Sequence, residues 1–227
     1  MNKLKDKLKV LLDETAGRQP TEHEVKRLLE ELGMAAPRGV FIPAWDFPSK
    51  GISEISGLRF PIAVKAVSQD IRSKSEAGAV RLGIRTEEEF LRAAGGFLKQ
   101  VKGVQGVLVE EMIEGGLETI VGGLVDAQFG PVVMFGLGGF FAEVFHDVSF
   151  ALAPATHGDA LKLASRIKGF SVLQGIRGRP PVDTNALAET LVTVSKLIAT
   201  GLIKEIDLNP LALLPDGAYV LDAKIFV

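Results

Sequence analysis

Apolar residues recur along the chain with two different periods, and the change from one to the other marks out the elements. Leu4, Leu8, Leu11 and Leu12 have helical spacing over residues 3 to 13. A polar break, Ala16-Gly-Arg-Gln-Pro20, follows. Thr21-Glu-His-Glu24 then has the form of a capping box, and Val25, Leu28, Leu29 and Leu32 continue it as a helical stripe that Gly33 stops. Gly39-Val-Phe-Ile42 predicts a short strand, and 44 to 58 is weakly patterned, a loop with a helical turn. Phe60-Pro-Ile-Ala-Val-Lys-Ala-Val67 predicts a strand with Lys65 inside it. The polar loop Ser68 to Gly78 leads to another strand at Ala79–Ile84. Thr86-Glu-Glu-Glu89 is a second capping box, opening a helix to about Gln100 with Phe90, Leu91, Ala94, Phe97 and Leu98 inward.

In the second half, Gly106–Met112 and Leu117–Val125 predict strands with a bend at Gly115-Gly116. Pro131–Phe135 runs into Gly136-Leu-Gly-Gly139, and a further strand is expected over 140 to 145. Thr156-His-Gly-Asp159 caps a helix to about Lys168. The Arg-rich loop from Gly175 to Asp183 follows, and Asp183 caps a long helix to about Thr200. Ile203 to Lys224 reads as a β-hairpin around Pro215-Asp-Gly217. This order predicts an α+β fold of two lobes joined near residues 103 to 112, with no repeat period. The expected divisions are a helical extension at 1–19, one lobe at 20–105 and a second at 106–227.

The hairpin carries the first candidate chemistry. Asp207 and Asn209 share one face of the first strand, with Ile206 and Leu208 on the other. A turn closing on Asp216-Gly217 sets Leu211 opposite Asp222 and brings Asp222 one diagonal step from Asn209. Two carboxylates and an amide oxygen then lie within reach of one ion, a donor set that suits Mg²⁺. Asp and Asn at strand ends and turns also serve local hydrogen bonding, and spacing alone leaves both readings open.

Composition narrows the classes. Hydrophobic residues are 47% of 227, and the mean hydropathy is +0.25, as expected of a folded chain. No apolar run approaches the length of a membrane span, and the charged start Met-Asn-Lys-Leu-Lys-Asp-Lys is not followed by a signal segment. Cysteine is absent, which excludes disulfides, thiolate metal sites and a cysteine nucleophile. These features suit a cytoplasmic protein. Lys+Arg 26 against Asp+Glu 28 gives a net charge of -2, with one Trp and one Tyr, so neither a basic footprint nor stacking platforms for nucleic acid are present.

Other residues have two readings each. Lys65, mid-strand before a polar loop, suits the phosphates of a nucleotide or a solvated sheet face. Gly136, Gly138 and Gly139 lack dinucleotide-fingerprint spacing, and they form either a backbone anion site or a tight turn. Glu110, Glu111 and Glu118 could hold ribose hydroxyls or mark an edge strand. Arg177 and Arg179 suit phosphate or carboxylate capture, or pairing with surface acids. His23, His146 and His157 have no metal or triad spacing.

Taken in order, these segments resemble the ATP-grasp fold, and more closely the beta subunit of ADP-forming acyl-CoA (acetate–CoA) ligases. The resemblance rests on Thr21-Glu-His-Glu-Val-Lys-Arg-Leu-Leu29, Phe60 to Lys65, Asp70 to Gly78, Gly106 to Met112, Asp126 to Gly139, Glu143 with Asp147-Val-Ser-Phe150, Gly175 to Pro181, Glu205-Ile-Asp-Leu-Asn-Pro210 and Leu221-Asp-Ala-Lys224. It implies two lobes with a nucleotide cleft between them. Lys65 would hold the α/β-phosphates of ATP/ADP, and Glu110, Glu111 and Met112 would form a hinge against adenine. Glu118 would reach the ribose, Gly136, Gly138 and Gly139 would lie near the ligand, and Arg177 would assist catalysis. Asp207, Asn209 and Asp222 would carry Mg²⁺. The implied reaction is acyl-CoA + ADP + phosphate to acid + CoA + ATP, reversibly. It would pass through a phosphohistidine on a CoA-binding alpha subunit in a heterotetramer of two alpha and two beta subunits. Ser73 stands where the family carries a relay histidine, Ala151 where it usually has arginine, and Ala79 where it usually has glycine. The Ser73 departure admits an alternative, a nucleotide-binding regulatory or scaffold subunit with impaired catalysis.

Overall fold

The computed structural model describes residues 2–47, 49, 51–71, 74, 77–139, 146–176 and 178–227. The chain divides into two units, Pro37–Glu114 and a second made of Met1–Ala36 with Gly115–Val227.

The Pro37–Glu114 unit is an antiparallel sheet of four strands: β1 (Gly39–Pro43), β2 (Ile62–Ser68), β3 (Val80–Ile84) and β4 (Val104–Glu111), in the order β1-β4-β2-β3. A short helix α3 (Gly51–Ile55) and α4 (Glu87–Gln100) accompany it. Thr86 caps α4 by accepting from the Glu89 N–H at 3.2 Å, while the Glu89 carboxylate reaches one residue further back, to the Arg85 N–H, at 2.8 Å. Ile62, Val64 and Ala66 of β2 join Val107 and Val109 of β4 in a core with Phe90, Ala94 and Phe97 of α4. The intervening residues of β2, Ala63, Lys65 and Val67, therefore point to the opposite face. They are buried too, which is why the strand shows no apolar–polar alternation in sequence.

The second unit has a sheet in the order β10-β8-β5-β6-β7, with β9 also paired to β8. Its strands are β5 (Leu117–Asp126), β6 (Gly130–Leu137), β7 (Val148–Leu152), β8 (Glu205–Leu214), β9 (Gly217–Val220) and β10 (Ala223–Phe226). Helices α1 (Asn2–Thr15), α2 (Glu22–Glu31), α5 (His157–Ser165), α6 (Phe170–Leu173) and α7 (Thr184–Ile198) complete it. Leu8 and Leu11 of α1, Val25 and Leu28 of α2, Leu163 of α5 and Leu187, Leu191 and Val194 of α7 share one core with Val121, Phe135, Ile206 and Ile225.

This division differs from the expected boundaries at 19/20 and 105/106. Both α1 and α2 pack into the second unit's core, and the Val220 N–H donates to the Ala35 carbonyl at 2.9 Å. β4 is hydrogen-bonded on both sides, to β1 and to β2, so it belongs with Pro37–Glu114. β7 is a strand that the apolar pattern does not announce. It lies at the sheet edge with Phe150 and Leu152 exposed. The helix expected to reach Lys168 ends at Ser165, because the Asp147 carboxylate takes the N–H groups of Lys168 and Gly169, each at 2.7 Å. The strand expected over 140–145 lies outside the described residues.

Candidate functional site

The hairpin turns one step earlier than expected, through Pro215 and Asp216, with Leu214 facing Gly217 and Leu211 facing Val220. The register is thus shifted by two residues from the expected pairing of Leu211 with Asp222. The strict alternation also changes phase in this stretch, because Leu208 and Leu211, three residues apart, are both in the core. β10 holds the same register, with Asp207 facing Lys224, and the Asn209 N–H donates to the Asp222 carbonyl at 3.2 Å. Asp222 is thus joined to Asn209 through the backbone, just beyond the end of the β8–β10 ladder. Ile206, Leu208, Ala223 and Ile225 are buried, which turns Asp207, Asn209 and Lys224 to the other face. There Asp207 lies beside Gly122 of β5, with the end of the Met134 side chain close to that glycine.

Burial pushes the Asp207 carboxyl up to about 6; Lys224 pulls it down, and the charges of Asp222 and Glu205 add to the rise. Among the described residues no three His, Cys, Asp or Glu side chains gather to hold a metal. Two carboxylates with one amide are not a closed cage. They fit Mg²⁺, which keeps several waters and shares its shell with substrate phosphates. The desolvated Asp207 carboxylate beside the charge of Asp222 is a concentration of negative charge of the kind a divalent cation neutralises.

Lys65 and Glu110 meet on the face of the four-stranded sheet away from α4. The Lys65 Nζ donates to Glu110 Oε2 at 2.7 Å, and the two side chains are 9% and 3% exposed. Lys65 faces Leu108 across the β2–β4 ladder, so Glu110 is its diagonal neighbour. Glu111, one residue on, turns to the other face. Its carboxylate accepts from the Arg59 N–H at 3.0 Å, from Arg59 Nε at 3.1 Å and from Nη2 at 2.9 Å. Those hydrogen bonds hold its carboxyl below the usual range. The Glu111 N–H donates to the Arg38 carbonyl, and the Met112 N–H to the Pro61 carbonyl. The structure therefore joins Lys65 with Glu110 and commits Glu111 to fixing the segment before β2.

In the second unit Glu118 is exposed, and its carbonyl accepts from the Gly138 N–H at 2.8 Å. A Cβ on Gly138 would sit 3.0 Å from the Glu118 backbone, and one on Gly139 would sit 3.8 Å from the Glu118 carboxylate. These three residues adjoin. Gly136 is different: it lies within β6, and a Cβ there would come within 2.7 Å of the Val148 side chain and 2.9 Å of the Asp147 carbonyl. Ser73 and Arg177 lie outside the described residues. Sequence reasoning missed the Arg59 clamp on Glu111 and the Lys26 contact described below. The i, i+4 spacing of Glu22 and Lys26 was the available signal for the second.

The chain matches the ATP-grasp domain family model over residues 12–227. It is 38% identical to the acetate–CoA ligase [ADP-forming] I subunit beta of Pyrococcus furiosus, covering 91% of this chain and 90% of that subunit. It is 34% identical to the acetate–CoA ligase [ADP-forming] I of Archaeoglobus fulgidus, covering 97% of this chain and 35% of that longer protein. Among solved structures it resembles the dinucleotide-forming acetyl-coenzyme A synthetase 1 of Ca. Korarchaeum cryptofilum with a TM-score of 0.82 at 33% identity, over 99% of both chains. That structure holds coenzyme A and Mg-AMPPCP, with its phosphohistidine segment pointing towards the nucleotide binding site. On its fold, on the span of the family match and on these relatives, the chain belongs to the ATP-grasp family, among the beta subunits of ADP-forming acetate–CoA ligases.

Proposed function

We propose that this chain is the nucleotide-binding subunit of an ADP-forming acyl-CoA ligase. It would use Mg-ATP/ADP in the reversible conversion of acyl-CoA, ADP and phosphate to acid, CoA and ATP. The observation that carries the reading is the trio Asp207, Asn209 and Asp222, in which burial raises the Asp207 carboxyl and the nearby Asp222 charge adds to the rise. Mg²⁺, when bound there, supplies charge neutralisation for phosphoryl transfer. Lys65 supplies a fixed ammonium for the phosphates, and Glu110 keeps that ammonium buried and aimed before the nucleotide arrives. Glu118, which adjoins Gly138 and Gly139, would accept from ribose hydroxyls.

CoA and the phosphohistidine belong, on this reading, to an alpha subunit. The support is that the relative of which this chain covers 35% carries the ligase name as one chain. An assembly of two alpha and two beta subunits, working in the cytoplasm where nucleotide and CoA pools lie, completes the proposal. Among the described residues no helix is long and apolar enough to cross a membrane.

The test is calorimetric titration of the chain with ATP and ADP, with and without Mg²⁺, alone and after co-expression with an alpha subunit. Mg²⁺-dependent binding that Asp207→Ala/Asn209→Ala removes supports the reading. Binding that ignores Mg²⁺ in both preparations sinks the metal assignment. A coupled ADP-forming assay of the co-expressed pair then decides turnover. Binding without turnover would assign a regulatory role to a chain with Ser73 at the relay position.

A further inference from the structure

Helix α2 carries a buried ion pair that the site as described does not use. Glu22 and Lys26 lie one helical turn apart, 2.9 Å between Nζ and Oε1, with side chains only 2% and 5% exposed. Glu N-terminal to Lys at this spacing is the favourable order. A buried ion pair on a helix nevertheless gives little net stability, since desolvation offsets the attraction and an apolar pair would pack as well. The pair has a third member. Lys26 Nζ donates to the Leu221 carbonyl at 2.7 Å, across 195 residues of sequence.

Leu221 lies where the strand paired to β8 is interrupted. β9 ends at Val220 and β10 begins at Ala223, yet both keep one register against β8. Between them the N–H groups of Leu221 and Asp222 converge on a single acceptor, the Pro210 carbonyl, at 3.0 and 3.4 Å. Pro210 has no N–H to give back to the facing strand. The Leu221 carbonyl takes its hydrogen bond from the Lys26 ammonium instead. The next residue is Asp222.

We propose that Lys26, held by Glu22, is a positioning residue that fixes the Leu221-Asp222 peptide and so sets the Asp222 carboxylate against Asn209 and Asp207 for a divalent cation. The inference rests on the reading of those three residues as the Mg²⁺ set. An ammonium suits this role because it is a compact charge with three donors, able to hold a carboxylate and a carbonyl at once. The ligand's backbone is thereby tied to a helix rather than left to the ladder.

The experiment compares wild type, Lys26→Met and Glu22→Gln in the full chain. Calorimetry measures ATP affinity in EDTA and in Mg²⁺, and circular dichroism checks the fold. Lys26→Met is expected to lower the apparent Mg²⁺ affinity by roughly 10–100-fold, the usual effect of losing a group that orients a metal ligand. The ATP affinity in EDTA should stay within about threefold, a difference near 0.7 kcal/mol. Glu22→Gln, which keeps the shape and the Leu221 bond, should fall between. A merely structural role would lower both affinities together or neither, and either result overturns the proposal. If Lys26→Met fails to fold, Glu22→Gln decides, and unchanged Mg²⁺ affinity in it counts against the inference. A wild type with no Mg²⁺-dependence removes the metal reading and this proposal together, whereas a Mg²⁺-dependent wild type with indifferent variants removes only the proposal.

Discussion

Replacing Lys65 alone should unfold the Pro37–Glu114 unit more readily than replacing Lys65 and Glu110 together. The two charges are 2.7 Å apart and almost wholly buried. At an effective dielectric near 20 their attraction is about 6 kcal/mol, most of which only offsets the cost of removing both from water. Lys65→Met keeps the stem and its packing but leaves Glu110 a buried carboxylate that has lost its cation. That should cost about 3–5 kcal/mol. Lys65→Met/Glu110→Leu removes both charges and restores an apolar surface between β2 and β4, and it should return to within about 1–2 kcal/mol of wild type. Urea denaturation followed by far-UV circular dichroism gives the four corners of a double-mutant cycle. The expected coupling is at least about 2 kcal/mol, well above the roughly 0.5 kcal/mol found between independent sites. Additive losses would refute the argument, because they would mean that neither charge depends on the other. The double variant has a second use. It should fold and still bind no nucleotide, separating the ammonium's role toward phosphate from its role in the fold.

Further outcomes follow from single features. Asp207 has a folded-state value of about 6 against an ordinary value of 3.8, so the folded protein holds this proton more tightly than the unfolded chain. Stability without metal should therefore fall as pH rises from about 4 to 6 and then level off, and Asp207→Asn should flatten this slope in urea midpoints measured across that window. Apparent Mg²⁺ affinity, measured by calorimetry, should rise through the same window, since only the carboxylate is a ligand. Glu24 behaves oppositely. Burial pushes it up, but bonds from Arg18 and from the Thr21 N–H and hydroxyl outweigh this and hold it at about 2. Its contribution is present above the ordinary value of 4.5 and lost as pH falls toward 2, so Glu24→Gln should remove an acid-sensitive part of stability, read as urea midpoints across that range. Gly136→Ala places a Cβ against Val148 and the Asp147 carbonyl, and it should cost about 1–3 kcal/mol in a urea melt while nucleotide affinity in the folded variant is retained. Phe135→Ala in the larger core should cost about 3–5 kcal/mol by the same melt.

The longer helices were legible because they announce themselves locally, whereas α3 and α6, of five and four residues, do not. Thr21, Thr86, Thr156 and Asp183 open helices where a polar side chain can take an N–H of the first turn, and all four do so in the structure or stand at that position. Strands were harder at both extremes of burial. β2 is buried on both faces, so alternation could not reveal that Lys65 faces away from the core of α4. β7 is short, and its exposed Phe150 and Leu152 carry no signal that distinguishes an edge strand from a loop. The assignment of α1, α2 and β4 to their units depended on pairings across long stretches of sequence, which a local pattern does not contain.

The donor set shows which part of a site a sequence can specify. The common face of Asp207 and Asn209 follows from the period of two, but the alternation changes phase after Leu208, since Leu211, three residues on, is buried in the same core. The partner across the strand did depend on register. Closing the turn at Pro215-Asp216 sets Lys224 opposite Asp207, and this places a cation beside that carboxylate. The electrostatics of the site is thus a tertiary property, although its composition is a local one. The same holds for Lys26, whose sequence context is an ordinary helix and whose consequence lies at Leu221. A proline at 210 is compatible with the strand only if the carbonyl opposite finds another donor, and the fold supplies it from a helix near the start of the chain. The donor that satisfies the Leu221 carbonyl thus comes from outside the hairpin, from a helix far away in sequence.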